Sequence, residues 1–402
     1  MTIEVRHPAD DELRAAMEAT HVTFADPLSD EHFERHKKML PLDRFYGAYE
    51  DGLPVGTAAD YEFRMTIPGG ALPTAGVTWV GVLPSHRRRG ILTQMMRREL
   101  DDIHERGEPL AILWASESAI YGRYGYGIAA PTVQLAADRS RFSLRDKPEP
   151  RGRVRLMSLE DAVEPCMHVW DTVRPEVPGF TARTRDWWET FRLADPEEWR
   201  RGASPKYAAI VELDGAPAAY VLYRIKQSWE HGFSQSEVRL VETLAAGAAA
   251  ERELWRFVFG IDLIARVEGR LDPASPLFLM VVDPRALHLR ISEGLWLRLV
   301  DVEAALAARS YATDDEVVLD VRDEFCAWNA GRWRVGRAGV ERTHADADVE
   351  LDVADLASAY LGAFSFKRLA RAERADELKD GALARADALF RTDRSPYCPE
   401  DF

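Results

Sequence analysis

The run from Gly76 to Leu100, G-V-T-W-V-G-V-L-P-S-H-R-R-R-G-I-L-T-Q-M-M-R-R-E-L, constrains the fold more than any other part of the chain. Val77, Trp79 and Val82 are strand-forming residues, and Pro84 ends the run because proline has no N–H to give a ladder. After Arg87-Arg88-Arg89-Gly90, Leu92, Met96 and Leu100 recur every fourth residue and Ile103 extends the stripe, which predicts an amphipathic helix. The order is strand, tight turn, helix, with glycine and cations at the turn. The first turn of a helix has N–H groups without intrahelical partners, and its dipole favours an anion there. Gly90 lets a phosphate approach the backbone closely. The stretch therefore predicts a diphosphate site; taken alone, its residues leave a basic surface turn open as the alternative.

The 402-residue chain is long enough for two or three domains with substantial cores. The longest apolar run, near Leu277–Val282, is too short for a membrane span, and the acidic N-terminal stretch (Glu4, Asp10, Asp11, Glu12) lacks an apolar signal core. Only Cys166, Cys326 and Cys398 occur, without metal-ligand spacing, which predicts reduced thiols, no metal and a cytoplasmic home. The formal net charge of −15 argues against a nucleic-acid partner and would attract a cationic substrate if acids line a cleft.

Residues 1 to 40 read as mostly helical, broken at Ala25-Asp26-Pro27. Phe45 to Tyr61 reads as a hairpin turned at Asp51-Gly52, and Glu62 to Ile67 as a further strand. Leu110 to Ser116 reads as a buried strand. A linker is expected at Asp146 to Arg153, beyond which the chain repeats itself. Tyr207 to Tyr223 parallels the first hairpin, with Asp214-Gly215 in place of Asp51-Gly52, and a helix containing Leu254, Phe257 and Val258 follows. Between Thr243 and Arg252 the second copy has L-A-A-G-A-A-A-E and no arginine cluster, so it is expected to keep the fold without binding the cofactor. From about residue 290, strands at 296–302, 316–322, 331–335 and 347–353 and helices at 353–361 and 370–390 predict an α+β module.

The pattern V-x-V-x-P-x-x-R-R-x-G-x-L resembles the acetyl-CoA motif of the GNAT superfamily, and with A-S-E-S-A-I-Y-G-R-Y-G-Y-G it resembles the Eis (enhanced intracellular survival) family of N-acetyltransferases over the whole chain. The resemblance implies an α/β (α+β) architecture of two tandem GNAT-like domains and a sterol-carrier-like domain. The expected division is 1–148 for the catalytic domain, 149–289 for a degenerate copy and 290–402 for the last module. It further implies acetylation of aminoglycosides and polyamines at one or several amines, a link to antibiotic resistance, and a homohexamer. Protein-lysine acetylation and a non-catalytic CoA-binding scaffold are the alternatives.

Acetyl transfer to an amine needs a polarised thioester, a proton for the departing thiolate, and a group to take the amine's proton. By resemblance acetyl-CoA lies along Val80, Gly81 and Val82, then Arg88, Arg89, Gly90, Ile91, Leu92 and Thr93, with Ser116 and Glu117 beside it. The S-E-x-x-I-Y-G-R block puts the acid on Tyr121, leaving Tyr124 and Tyr126 for packing. Asp26, Glu62 and Glu117 are local carboxylates that could serve as base; the resemblance instead implies the α-carboxylate of Phe402, with Asp26, Trp79 and Asp401 meeting the substrate. His86 reads as a loop residue.

Overall fold

The structure, a computed structural model, describes residues 3–25, 27–145 and 151–402. Asp26 and residues 146–150, with the expected boundary between 148 and 149, lie outside the described residues. The chain opens with β1 (Glu4–Arg6), α1 (Leu13–Phe24), α2 (Asp30–Met39), β2 (Phe45–Glu50), β3 (Leu53–Ile67) and β4 (Gly70–Val82). Then come α3 (Ile91–Glu105), β5 (Leu110–Trp114), α4 (Ser118–Tyr121), β6 (Gly127–Asp138), β7 (Gly152–Met157), α5 (Val163–Val173) and α6 (Arg185–Trp187). Next are β8 (Tyr207–Leu213), β9 (Ala216–Lys226), β10 (Trp229–Glu230), β11 (Phe233–Ser234), β12 (Ser236–Ala245), α7 (Ala248–Gly260), β13 (Ile264–Leu271) and α8 (Leu277–Met280). The last part holds β14 (Arg290–Leu299), α9 (Val302–Ala308), β15 (Glu316–Arg322), β16 (Gly331–Gly336), β17 (Gly339–Arg342), β18 (Val349–Asp352), α10 (Val353–Tyr360), α11 (Phe366–Arg371), β19 (Ala375–Glu377) and α12 (Ala382–Leu389).

Both Asp-Gly pairs turn hairpins. Asp51 and Gly52 have φ of 52° and 79°, and Asp214 and Gly215 have 51° and 81°. Two successive left-handed residues match the twist of the strands they join. The stretch 62–67 belongs to one strand with the end of the first hairpin, since β3 pairs continuously with β4 from Glu62↔Ala75 to Ile67↔Gly70. The helix expected over 370–390 is interrupted. Glu373 turns left-handed (φ 59°), Ala375–Glu377 pairs with β18, and Gly381 (φ 78°) starts α12. Hydrogen bonds offered by a sheet edge outweigh local helix propensity there.

Two compact units share the chain: residues 1–130, 294–396 and 401–402, and residues 131–293 and 397–400. In the first unit the strand order is β1-β2-β3-β4-β5 and then the second half of β14. The apolar stripe of α3 lies on this sheet, with Met96, Leu100 and Ile103 buried among Val77, Leu113, Tyr124 and Tyr126. Each such side chain contributes about 1.5–3 kcal/mol on burial. The order β17-β16-β15-β18-β19 forms a separate five-stranded sheet.

In the second unit the order is β6-β13-β12-β9-β8-β7. Its strand–helix–strand β12–α7–β13 repeats β4–α3–β5, with parallel pairing of β12 and β13 from Ser236↔Ile264 to Arg239↔Glu268. A second core packs Trp170, Phe180, Trp188 and Tyr220 around α5.

Candidate active site

The site starts from a divergence of two strands. β4 and β5 run parallel, but their pairing spans only Thr74↔Leu110 to Gly76↔Ile112. Beyond Gly76 the edge of β4 that faces β5 has no strand partner among the described residues, while its other edge still pairs with β3. Two residues of β4, Trp79 and Val80, stand opposite the single Ala58 of β3, which is a bulge. Trp79 has φ 53°, an uncommon conformation for a bulky residue, and the hydroxyl of Thr57 donates to its carbonyl at 2.7 Å. The bulge re-aims the strand at the point where the gap opens.

A groove of about 610 Å³ runs from this gap to the start of α3. Val80, Gly81, Val82, Arg88, Gly90, Ile91, Leu92, Thr93, Ser116, Glu117 and Tyr121 all line it. Gly90 caps α3 at φ 78°, with no atom within 4 Å of where a Cβ would sit. Glycine is needed here for the backbone conformation, since no protein atom would clash with a Cβ. Gly90→Val is expected to cost about 1–3 kcal/mol from forcing a branched residue into that region, read as a lower thermal midpoint than wild type. An unchanged midpoint would contradict this account.

Arg89 is set apart from the groove. It grips both carboxylate oxygens of Glu50 on β2, and His86 Nε2 lies 2.9 Å from Glu50 Oε2. The Arg89 guanidinium, with His86 beside it, holds the Glu50 carboxyl at about 2. Arg87 and Arg123 line the groove in its place. Sequence reasoning did not single out either, although Arg123 lies inside the Y-G-R-Y block.

A second cavity of about 360 Å³ shares Phe24, Val80, Ser116 and Tyr121 with the groove. Tyr121 is buried on α4, and burial, with Glu99 behind it, raises its phenol pKa well above the ordinary value. It keeps its proton throughout the neutral range. Trp79 forms another wall. Around it stand His21 of α1 and His32 and His36 of α2, with ring centroids 5.4, 5.9 and 5.0 Å from the indole. The sequence reading missed these histidines, although the four-residue spacing of His32 and His36 put them on one helical face.

Phe402 closes this cavity. Its ring meets Phe63 at 5.1 Å and Tyr61 at 6.3 Å, both on β3. A Cβ at Gly76 would come within 2.3 Å of the Phe63 ring and 3.3 Å of the Phe402 ring, so the slot depends on that glycine. Asp401 is exposed and lines neither cavity. Glu62 is likewise exposed, and Tyr126 is packed into the core.

Residues 4–129 and 179–299 each match an acetyltransferase (GNAT) domain, and residues 302–399 match a sterol carrier protein domain. An uncharacterized N-acetyltransferase of Streptomyces avermitilis is 42% identical over 93% of both chains. The N-acetyltransferase Eis of Mycobacterium tuberculosis is 32% identical over 98% of both. The crystal structure of Eis1 from Mycobacterium abscessus superposes with a TM-score of 0.85 at 32% identity, covering all of both chains. By these matches the chain belongs to the Eis-type N-acetyltransferases, enzymes built from two GNAT domains and a sterol-carrier-like domain.

Proposed function

We propose that the protein transfers acetyl from acetyl-CoA directly to amines of aminoglycosides and other polyamines, at one or several positions. The observation that carries this reading is the meeting of two cavities at Val80, Ser116 and Tyr121. One has a cationic turn and a bare helix N-terminus; the other is aromatic and ends at the last residue of the chain.

Acetyl-CoA supplies an acetyl thioester. Arg88, with Arg87 and the free N–H groups at the start of α3, holds the diphosphate, for which the open space over Gly90 leaves room. The unpartnered edge of β4 offers backbone groups to the pantetheine arm and an N–H to the thioester oxygen. Tyr121 donates a hydrogen bond to the sulfur as negative charge develops. Its raised pKa keeps the phenol protonated until the C–S bond breaks and the thiolate takes that proton, which the amine's proton, collected by Phe402, then replaces. The α-carboxylate of Phe402 takes the amine's proton. A free alkylamine has a pKa near ~10.4 and a terminal carboxyl one near ~3.5, so this transfer accompanies bond formation, which makes the nitrogen more acidic. All three cysteines are buried and none lines either cavity, which supports attack without an acyl-enzyme.

The second GNAT domain is assigned a structural role. The first turn of α7 carries Glu251, which accepts from Ser275 at 2.8 Å, where an anion would need a cation. Exposed Phe278, Leu279, Val282 and Ile291 support a homohexamer that covers them, and the unpaired thiols support a cytoplasmic enzyme.

Release of CoA is measured with an aminoglycoside, spermine and a lysine peptide. Turnover with the first two supports the proposal; release with the peptide alone replaces it by protein acetylation, and release with none overturns it. Tyr121→Phe is expected to lower kcat about 10²-fold while the KM for acetyl-CoA stays near wild type. Unchanged turnover would remove Tyr121 from the chemistry.

A further inference from the structure

The acceptor cavity contains a group of side chains that the transfer itself does not use. His32 stacks on His36 with centroids 4.4 Å apart and planes 21° from parallel. His21 meets His32 edge-on at 4.8 Å. All three touch Trp79, and all four rings line the cavity that ends at Tyr121 and Phe402. The rings are piled on one another. Among the described residues no group of three or more His, Cys, Asp and Glu side chains is arranged to hold a metal ion.

A pile of imidazoles against an indole has a definite charge preference. A neutral imidazole keeps one nitrogen as acceptor and presents an electron-rich face, and an indole face attracts a cation. One positive charge is therefore welcome. A second within 5 Å of the first is not, because like charges at that separation oppose each other. An imidazolium and a bound ammonium compete for the same position.

We propose that His21, His32, His36 and Trp79 form a charge-sensing subsite that holds a non-reacting ammonium of a polycationic acceptor while the imidazoles are neutral. The inference rests on the reading of this cavity as the acceptor site. The surrounding groups fit it. Tyr61 on β3 lies 2.8 Å from His36 Nδ1 through its hydroxyl. Arg35 on α2 is paired with Glu31 at 2.5 Å. Among the described residues, Phe402, which carries the α-carboxylate, and Tyr121 also line the cavity. Burial, and then His32, Arg35 and His21, press the His36 pKa well below its ordinary value, so this ring stays neutral when an ammonium arrives.

The test is titration calorimetry of the full-length protein with CoA present, using spermine and hexylamine at about pH 7.5 and about pH 5.5. Spermine is expected to bind about tenfold more weakly at the lower pH, the value of one cation–aromatic contact, while hexylamine changes little. His32 is only partly buried, so its substitution is compatible with folding. His32→Phe, which keeps a ring without nitrogen, is expected to bring spermine to the affinity of hexylamine. His32→Gln, which keeps a side-chain acceptor, is expected to retain spermine binding at the higher pH. Wild-type affinity and pH step in His32→Phe would overturn the proposal, as would equal pH steps for the two amines. If no amine releases CoA, the acetyltransfer reading fails separately, and the same binding measurements still decide the subsite.

Discussion

Deleting Phe402 is expected to lower kcat by about 10²–10⁴-fold, the range of a positioned general base, with little change in acetyl-CoA affinity. The proposed base is a main-chain group, so no side-chain substitution would remove it; only truncation or extension would. A short C-terminal extension turns the α-carboxylate into an amide and is expected to match the deletion. Phe402→Ala keeps the carboxylate but loses the ring that packs against Phe63 and Tyr61, so a smaller loss is expected from a group that is present but poorly held. The ordering of the variants separates chemistry from anchoring. An N-terminal extension of equal length serves as control, and a truncated chain with wild-type turnover would refute the assignment.

The second large effect concerns stability. Glu400→Ala is expected to destabilise the second unit by about 3–5 kcal/mol, because it leaves two buried guanidinium groups, Arg183 and Arg192, sharing the single carboxylate of Glu242. Glu400 is fully buried and takes hydrogen bonds from Arg183 and from Arg192 (Nη2 at 2.5 Å), with Trp187 Nε1 at 3.3 Å and the Thr181 hydroxyl at 3.4 Å. Arg183 also forms a two-pronged pair with Glu242 at 2.8 and 2.6 Å, and lies 3.5 Å from the centre of the Trp170 ring. Two guanidinium groups thus balance two carboxylates, and losing one carboxylate leaves an unbalanced charge out of water. Urea unfolding of the variant, beside the double variant Glu400→Ala/Arg192→Met, tests this. A partial recovery in the double variant is expected, and a single variant as stable as wild type would contradict the account. Burial alone would raise the Glu242 pKa, but Arg183 more than offsets it and holds the group at about 2, against an ordinary 4.5. The unfolded chain therefore binds more protons below about pH 4.5, and stability drops as pH falls from there towards 2.

What the sequence disclosed follows from how local each signal is. The Asp-Gly turns, the strand before Pro84 and the stripe on α3 depend on neighbours within a few residues, and all are found in the structure. β1 and β19 are three residues each and exist through pairing with distant strands, so no local pattern announces them. Arg89 looked equivalent to Arg88 because its partner, Glu50, lies 39 residues earlier on another strand. The histidine wall was illegible for the same reason. α1 and α2 each carry unremarkable histidines, and only tertiary packing brings them onto Trp79. Asp401 is exposed and lines neither cavity among the described residues.

Trp79 sits in a backbone region that penalises a bulky residue by about 1–3 kcal/mol. That penalty is met once, when the strands pair, and no incoming amine has to supply it. The indole is therefore already fixed, and an amine bound as proposed would meet a finished surface instead of one that must rearrange. Acceptor range in such a protein would then drift through exchange of the three rings around that fixed plane.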